Sequence, residues 1–167
     1  MERGDEPEED ARTFGALMAP VVRDPDYEAR VRASFAKQQF MTTLGARLVL
    51  VAPGEVRIAL SFRDDLTQQH GFLHAGAVTS VVDSACGYAA LTLMEPGAAV
   101  LAVEFKVNML APAAGREFLA IGTVVRAGRT LTVCAGELRS IGDERETVIA
   151  LMQGTMMAVR DREGLAD

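Results

Sequence analysis

The side chains that could do chemistry are concentrated between Gln68 and Asp83. Two amides (Gln68, Gln69), two histidines (His70, His74) and a glycine-bearing turn lead there into an apolar run interrupted by one acid. Asp83 stands in the middle of the longest charge-poor stretch, Leu66 to Met94. An isolated carboxylate in such company must be hydrogen-bonded, paired or raised in pKa. It reads either as a structural Asp bonded to a loop backbone or as a general base or nucleophile in a cleft. A helix opening at His74-Ala75-Gly76 leaves the N–H groups of Ala75 and Gly76 as free donors at the positive end of its dipole. Such a nest can polarise a carbonyl oxygen or hold an oxyanion; the plainer role for His74 is a helix cap. His70 and His74 suggest a metal pair. The chain has only those 2 histidines, the cysteines are distant, and the span between the histidines is a loop rather than one helical face, so no metal site is expected. Ser80 and Ser84 have no better claim than any helical serine, and no dinucleotide, Walker or nucleophile-elbow motif occurs.

The elements that position these residues follow from periodicity. Val78, Val81, Val82, Ala85, Cys86, Ala89, Ala90 and Leu93 recur at i, i+3, i+4, i+7 and predict a long buried helix from about His74, ended by Pro96-Gly97. At ~100° per residue Asp83 falls on the flank of that stripe, beside Gly76, Thr79, Ser80 and Gly87, where small residues leave room. Upstream, 26–43 has helix-forming composition with Tyr27, Val31, Phe35 and Phe40 at mostly helical spacing. A hairpin is expected from Ala46–Val51 and Glu55–Phe62 around Pro53-Gly54. Four further strands, Ala99–Leu110, Glu117–Arg126, Thr130–Arg139 and Thr147–Val159, follow in meander-like succession. Met152, Met156 and Met157 in the last read as core or interface. Arg126 and Arg129 flank the Ala127-Gly128 turn, either as a solvated hairpin tip or as two guanidiniums able to grip a phosphate. Strands gathered around one helix make an α+β pattern, with an antiparallel sheet curled around the helix.

With 167 residues the chain has room for one domain, 26–160, between an acidic flexible tail, 1–25, and a short C-terminal tail, 161–167. The hydrophobic share of 49% demands a packed core. Seventeen Lys and Arg against 23 Asp and Glu give a net charge of −6, which argues against nucleic acid as a partner. Six of those acids lie in residues 1–12. Two cysteines without metal spacing, and an N-terminus that starts acidic where a signal peptide needs basic residues, point to a cytoplasmic protein. Asp83 and its polar neighbours exclude a membrane span.

The string from Gln68 through His74-Ala75-Gly76 to Asp83 resembles the signature of hotdog-fold acyl-CoA thioesterases of the phenylacetate-degradation (PaaI) type, which show His-Gly-Gly followed at this spacing by an acid in the central helix. The strand Val103–Asn108 running into Leu110-Ala111-Pro112-Ala113 and the turn Arg126–Thr130 are similar to later landmarks of that family, so the resemblance covers about Phe40 to Val159. It implies six antiparallel strands wrapped around the helix and a homodimer, or dimer of dimers, with sites at the dimer interface. The implied reaction is acyl-CoA hydrolysis without a cofactor. Asp83 would activate water or attack the thioester, the Ala75 amide would polarise its carbonyl, and Gln68 would contact substrate or water. His74, Gly76, Gln69, Ala102, Arg126 and Arg129 would complete the substrate site. Two positions depart from the family pattern. His-Ala-Gly replaces His-Gly-Gly, and Ala102 stands where some members hold the water with Ser or Thr, leaving Gln68 or Gln69 for that task. The competing reading is a hotdog module that binds acyl-CoA as a sensor or regulator without hydrolysing it; a hotdog dehydratase lacks its Asp and His pairing here. Acyl chain length would depend on how Phe72, Tyr88 and Met94 pack.

Overall fold

The structure, a computed structural model, describes residues 20–142, 146–160, 162 and 164; the acidic run 1–12 lies outside them. The expected N-terminal helix is two helices, α1 (Tyr27–Lys37) and α2 (Gln39–Leu44), broken at Gln38, whose backbone is extended at φ −76, ψ 94. The break resets the helical phase. Phe40, five residues after Phe35 and off the stripe, is exposed, and Met41 and Leu44 are buried instead. Gly45 ends α2 in the left-handed region, φ 72, where its N–H satisfies late carbonyls of the helix.

β1 (Arg47–Ala52) and β2 (Glu55–Ser61) form the expected hairpin. The long helix α3 spans Ala75–Leu91, and every residue of the predicted apolar stripe is buried. It stops before Pro96-Gly97, and the carbonyls at its end and in the turn that follows find a side-chain donor. The Arg30 guanidinium, brought over by α1, donates to the carbonyls of Leu91 (3.0 Å), Met94 (2.9 Å) and Glu95 (2.6 Å). A cation there also complements the helix dipole. The same guanidinium pairs with the nearly buried Asp24 at 3.2 Å. Removing one partner of a buried pair leaves the other charge uncompensated. Arg30→Ala is therefore expected to lower the unfolding free energy by about 3–5 kcal/mol in urea titration, and Asp24→Asn in the same chain should recover part of it. An unshifted urea midpoint would remove this clamp from the account.

β3 (Ala99–Met109), β4 (Glu117–Ala127), β5 (Leu131–Ile141) and β6 (Thr147–Val159) complete one antiparallel sheet in the order β1-β2-β4-β5-β6-β3. The simple meander holds for β4-β5-β6 alone. The α3 crossover carries the chain from β2 past the rest of the sheet, so β3 pairs with β6 at the far edge rather than with β4. The sheet curls around α3 as a hotdog fold. Gly122 and Gly136 face each other across β4 and β5 and let the helix sit against the sheet. A Cβ on Gly122 would lie 2.2 Å from the Ala85 backbone carbon, and one on Gly136 would lie 2.7 Å from Cys86 Sγ. No helix among the described residues is long and apolar enough to cross a membrane.

Candidate active site

Two clefts receive Gln68 and Ala75, and Asp83 and Ala102, respectively, one at each end of the first half of α3. The first is built on the helix N-terminus. An isolated Thr67–Leu73 bridge and the bonds from Gln68 N–H to Phe72 O (2.9 Å) and Gly71 N–H to Gln68 O (3.0 Å) close a tight loop. Gly71 takes φ 80 within it. Leu73 N–H then ties the loop to Ala113 O (3.2 Å), and His74 N–H to Leu66 O (2.8 Å). The loop delivers Gln68, Phe72 and Ala75 to a cleft walled by the 109–113 segment and Ile149.

At this helix start the two expected donors differ. The Gly76 N–H is not free: it donates to His74 Nδ1 at 2.8 Å. His74 is thus the N-cap, its Nδ1 an acceptor and its ring proton on Nε2. The Ala75 N–H donates to no described group, and Ala75 lines the cleft. Gln68 lines the same cleft, but its side-chain oxygen accepts from the His70 N–H, which holds it against its own loop. Gln69, His70 and His74 are exposed.

The second cleft, of about 260 Å³, contains Asp83. Eight residues from Ala75 is about 12 Å along the helix axis, and no residue lines both clefts. Asp83 and Ala102 are brought together here, while Asp83 and Gln68 are not. Asp83 Oδ1 is shielded from solvent and has no hydrogen-bond partner, so the structural reading in which a loop backbone holds the carboxylate has no bond to rest on. Burial pushes its carboxyl above the usual carboxylate range. Ser34, Lys37 and Gln38, at the end of α1, were not singled out by residue spacing; with Ser84 and Tyr88 from α3 they line this cleft opposite Val100, Ala102 and Met156. Their only sequence signal was the off-phase Phe40, which marks the break that turns Gln38 inward.

Of the residues thought to set acyl length, Tyr88 borders the Asp83 cleft, Phe72 the Ala75 cleft, and Met94 is buried in the core. Arg126 lines a separate apolar cleft with Arg23 and Pro53, and Arg129, at the hairpin tip, accepts on its carbonyl from Arg160 at 2.6 Å. Neither arginine lines the clefts of Asp83 or Ala75. Cys86 and Cys134 are buried free thiols; burial pushes both up, Cys134 to about 12. They stay protonated and are poor nucleophiles.

A raised Asp83 carries a sign for stability. Below its unfolded pKa near 3.8 it is neutral in both states. As pH rises through the window between that value and its higher folded pKa, the folded protein loses stability because it must ionise a poorly solvated group. Asp83→Asn is therefore expected to melt a few degrees higher than wild type at neutral pH. The gain should vanish in calorimetry below about pH 4. A melting difference independent of pH would show that Asp83 ionisation is not the cause.

The sequence pattern of the Thioesterase superfamily matches residues 70–147. A thioesterase family protein from Silicibacter pomeroyi is 53% identical in sequence and superposes with a TM-score of 0.79, over 80% of this chain and 98% of that one. The E. coli PaaI protein, from the phenylacetic acid degradation operon, superposes with a TM-score of 0.73 at 20% identity, over 84% of this chain and 96% of that one. Acyl-coenzyme A thioesterase 13 of Homo sapiens is 28% identical over 110 residues, 65% of this chain and 78% of that protein.

Proposed function

The chain belongs to the thioesterase superfamily and is a thioester hydrolase; from that premise we propose that it cleaves acyl-coenzyme A to free acid and coenzyme A, with Asp83 as the general base. The observation that carries this reading is Asp83 itself, a half-buried carboxylate with an unpartnered oxygen, opening to a cleft. Its raised pKa makes it a stronger base than an ordinary Asp once ionised. Water donates a proton to Asp83 as its oxygen attacks the thioester carbon. The carbonyl oxygen gains the charge and is held by an Ala75 N–H at a helix N-terminus. Collapse of that intermediate breaks the C–S bond, and the departing thiolate takes up the proton that Asp83 holds, which restores the base.

Asp83 and Ala75 of one chain open into different clefts, so the reading requires two copies, the partner subunit's Ala75 facing this chain's Asp83. What supports such pairing is β3, whose outer edge has no neighbouring strand among the described residues and which exposes Leu101, Val103 (53%), Phe105 (44%) and Met109. An open, apolar edge strand is a ready template for a second chain. Within that dimer, His74 and Gly76 shape the carbonyl site, Gln68 and Gln69 border the substrate, Ala102 leaves space beside Asp83, and Arg126 and Arg129 offer charge to the coenzyme phosphates.

A panel of acyl-CoAs, short to long and aliphatic to aromatic, with free thiol followed spectrophotometrically, tests the reaction. Turnover of at least one class is expected. Tight binding with no thiol release across the panel would replace the hydrolase with a binding module.

A further inference from the structure

We propose that Gln38, delivered by the break between α1 and α2, holds the attacking water beside Asp83, and that Ser84 orients it for that task. The inference rests on Asp83 being the base, and it adds the second group that such a base requires.

A water giving one proton to a carboxylate still has a second O–H. Unless that O–H finds an acceptor, the water can rotate, and its lone pair points at the thioester carbon only part of the time. Ala102, on the β3 wall of the cleft, offers a methyl. Gln68, considered from sequence for holding the water, lies with Ala75 on the carbonyl side of the proposed site, and its oxygen is held on its own loop by the His70 N–H. Gln69 is exposed and lines neither cleft. Around Asp83 the polar candidates come from α1 and α3. Ser34 Oγ and Tyr88 OH face each other at 3.4 Å. Lys37 offers donors only. Gln38 Oε1 accepts from Ser84 Oγ at 3.4 Å, and an amide oxygen has a second lone pair for a water. Ser84 follows Asp83 directly on α3, so its bond to Gln38 ties the amide to the helix that holds the carboxylate. The bond also turns the oxygen, not the NH₂, toward Ser84.

The position of Gln38 is itself built. Its extended backbone ends α1 with a bond from its N–H to Phe35 O at 3.0 Å, and its carbonyl accepts from Thr42 N–H at 3.2 Å. Both bonds are main-chain, so truncating the side chain leaves the break in place. The Arg30 clamp fixes α1 over α3, and the Phe35 and Tyr88 rings meet edge to face at 5.7 Å close to the cleft.

Gln38→Ala is expected to lower kcat by about 10- to 100-fold with KM within about twofold, the size of effect that follows from losing orientation while keeping binding. Ser84→Ala should give a smaller loss of the same kind. Ala102→Ser placed in the Gln38→Ala chain should return several-fold of kcat, because a hydroxyl from the opposite wall reaches the same space; a structural role for Gln38 would show no such rescue. The acid limb of the kcat profile should stay where Asp83 sets it. Asp83→Asn is measured alongside. If Asp83→Asn is inactive and Gln38→Ala turns over like wild type, the inference is overturned while the hydrolase reading stands. If Asp83→Asn itself retains activity, the base assignment fails first. A Gln38→Ala loss carried in KM, or one that Ala102→Ser does not relieve, also overturns the role for Gln38.

Discussion

Asp83→Asn is expected to cut acyl-CoA turnover by about 10²- to 10⁴-fold, the usual worth of a positioned general base, while leaving the fold intact. The amide keeps the shape of the carboxylate, and with no partner bonded to Oδ1 there is none to lose. Only the ability to take a proton disappears. In wild type, kcat/KM should rise with pH through the Asp83 ionisation, and burial moves that limb above the ordinary Asp value of 3.8. The limb should be absent from whatever activity the Asn protein retains. Thiol release measured from about pH 4 to 9 decides the matter. Turnover within a few fold of wild type in a folded Asn protein would make Asp83 structural.

Mixed dimers should recover activity that neither parent has. Asp83→Ala removes the base. Gly76→Val places a Cβ 3.0 Å from His74 Nδ1, so the cap must shift and the Ala75 amide is crowded. Each protein alone is expected to be nearly inactive. After subunit exchange at equal concentration, about half of the dimers are mixed, and each mixed dimer contains one site with both lesions and one with neither. Roughly a quarter of wild-type activity should return. Absence of recovery, with native mass spectrometry showing that heterodimers formed, would place both groups in one chain's site and remove the shared interface.

The parts of the fold with the strongest periodicity were the most legible. The α3 stripe and the six strands lie where residue spacing put them, within a residue or two at most ends, because one face of each must be buried. Pairing order was harder to read. Nothing local to β3 says that it skips β4 and joins β6, since that choice is made by the length of α3 and the return loop. At the candidate site, Asp83 and the helix start were visible as breaches of local rules, a charge in an apolar helix and a histidine at its N-cap. The fate of the Gly76 N–H was not, because capping depends on one imidazole rotamer. Gln38 and Lys37 escaped notice because they lie more than 40 positions from Asp83 in the chain and only the docking of α1 brings them near.

The notch formed by Gly122 and Gly136 bears on more than packing. At Gly122 the helix main chain lies directly against the strand, two residues beyond Asp83, with no side chain between them to absorb error. A flexible contact would spread a disturbance over several rotamers, whereas this one transmits it. A methyl on Gly122 would have to lift the helix bodily, and the carboxylate would travel with it. The reactive group thus inherits its placement from a main-chain stop, much as a tool takes its setting from a machined shoulder. Drift by substitution is tolerable on the helix's exposed flank and hardly at all beneath it.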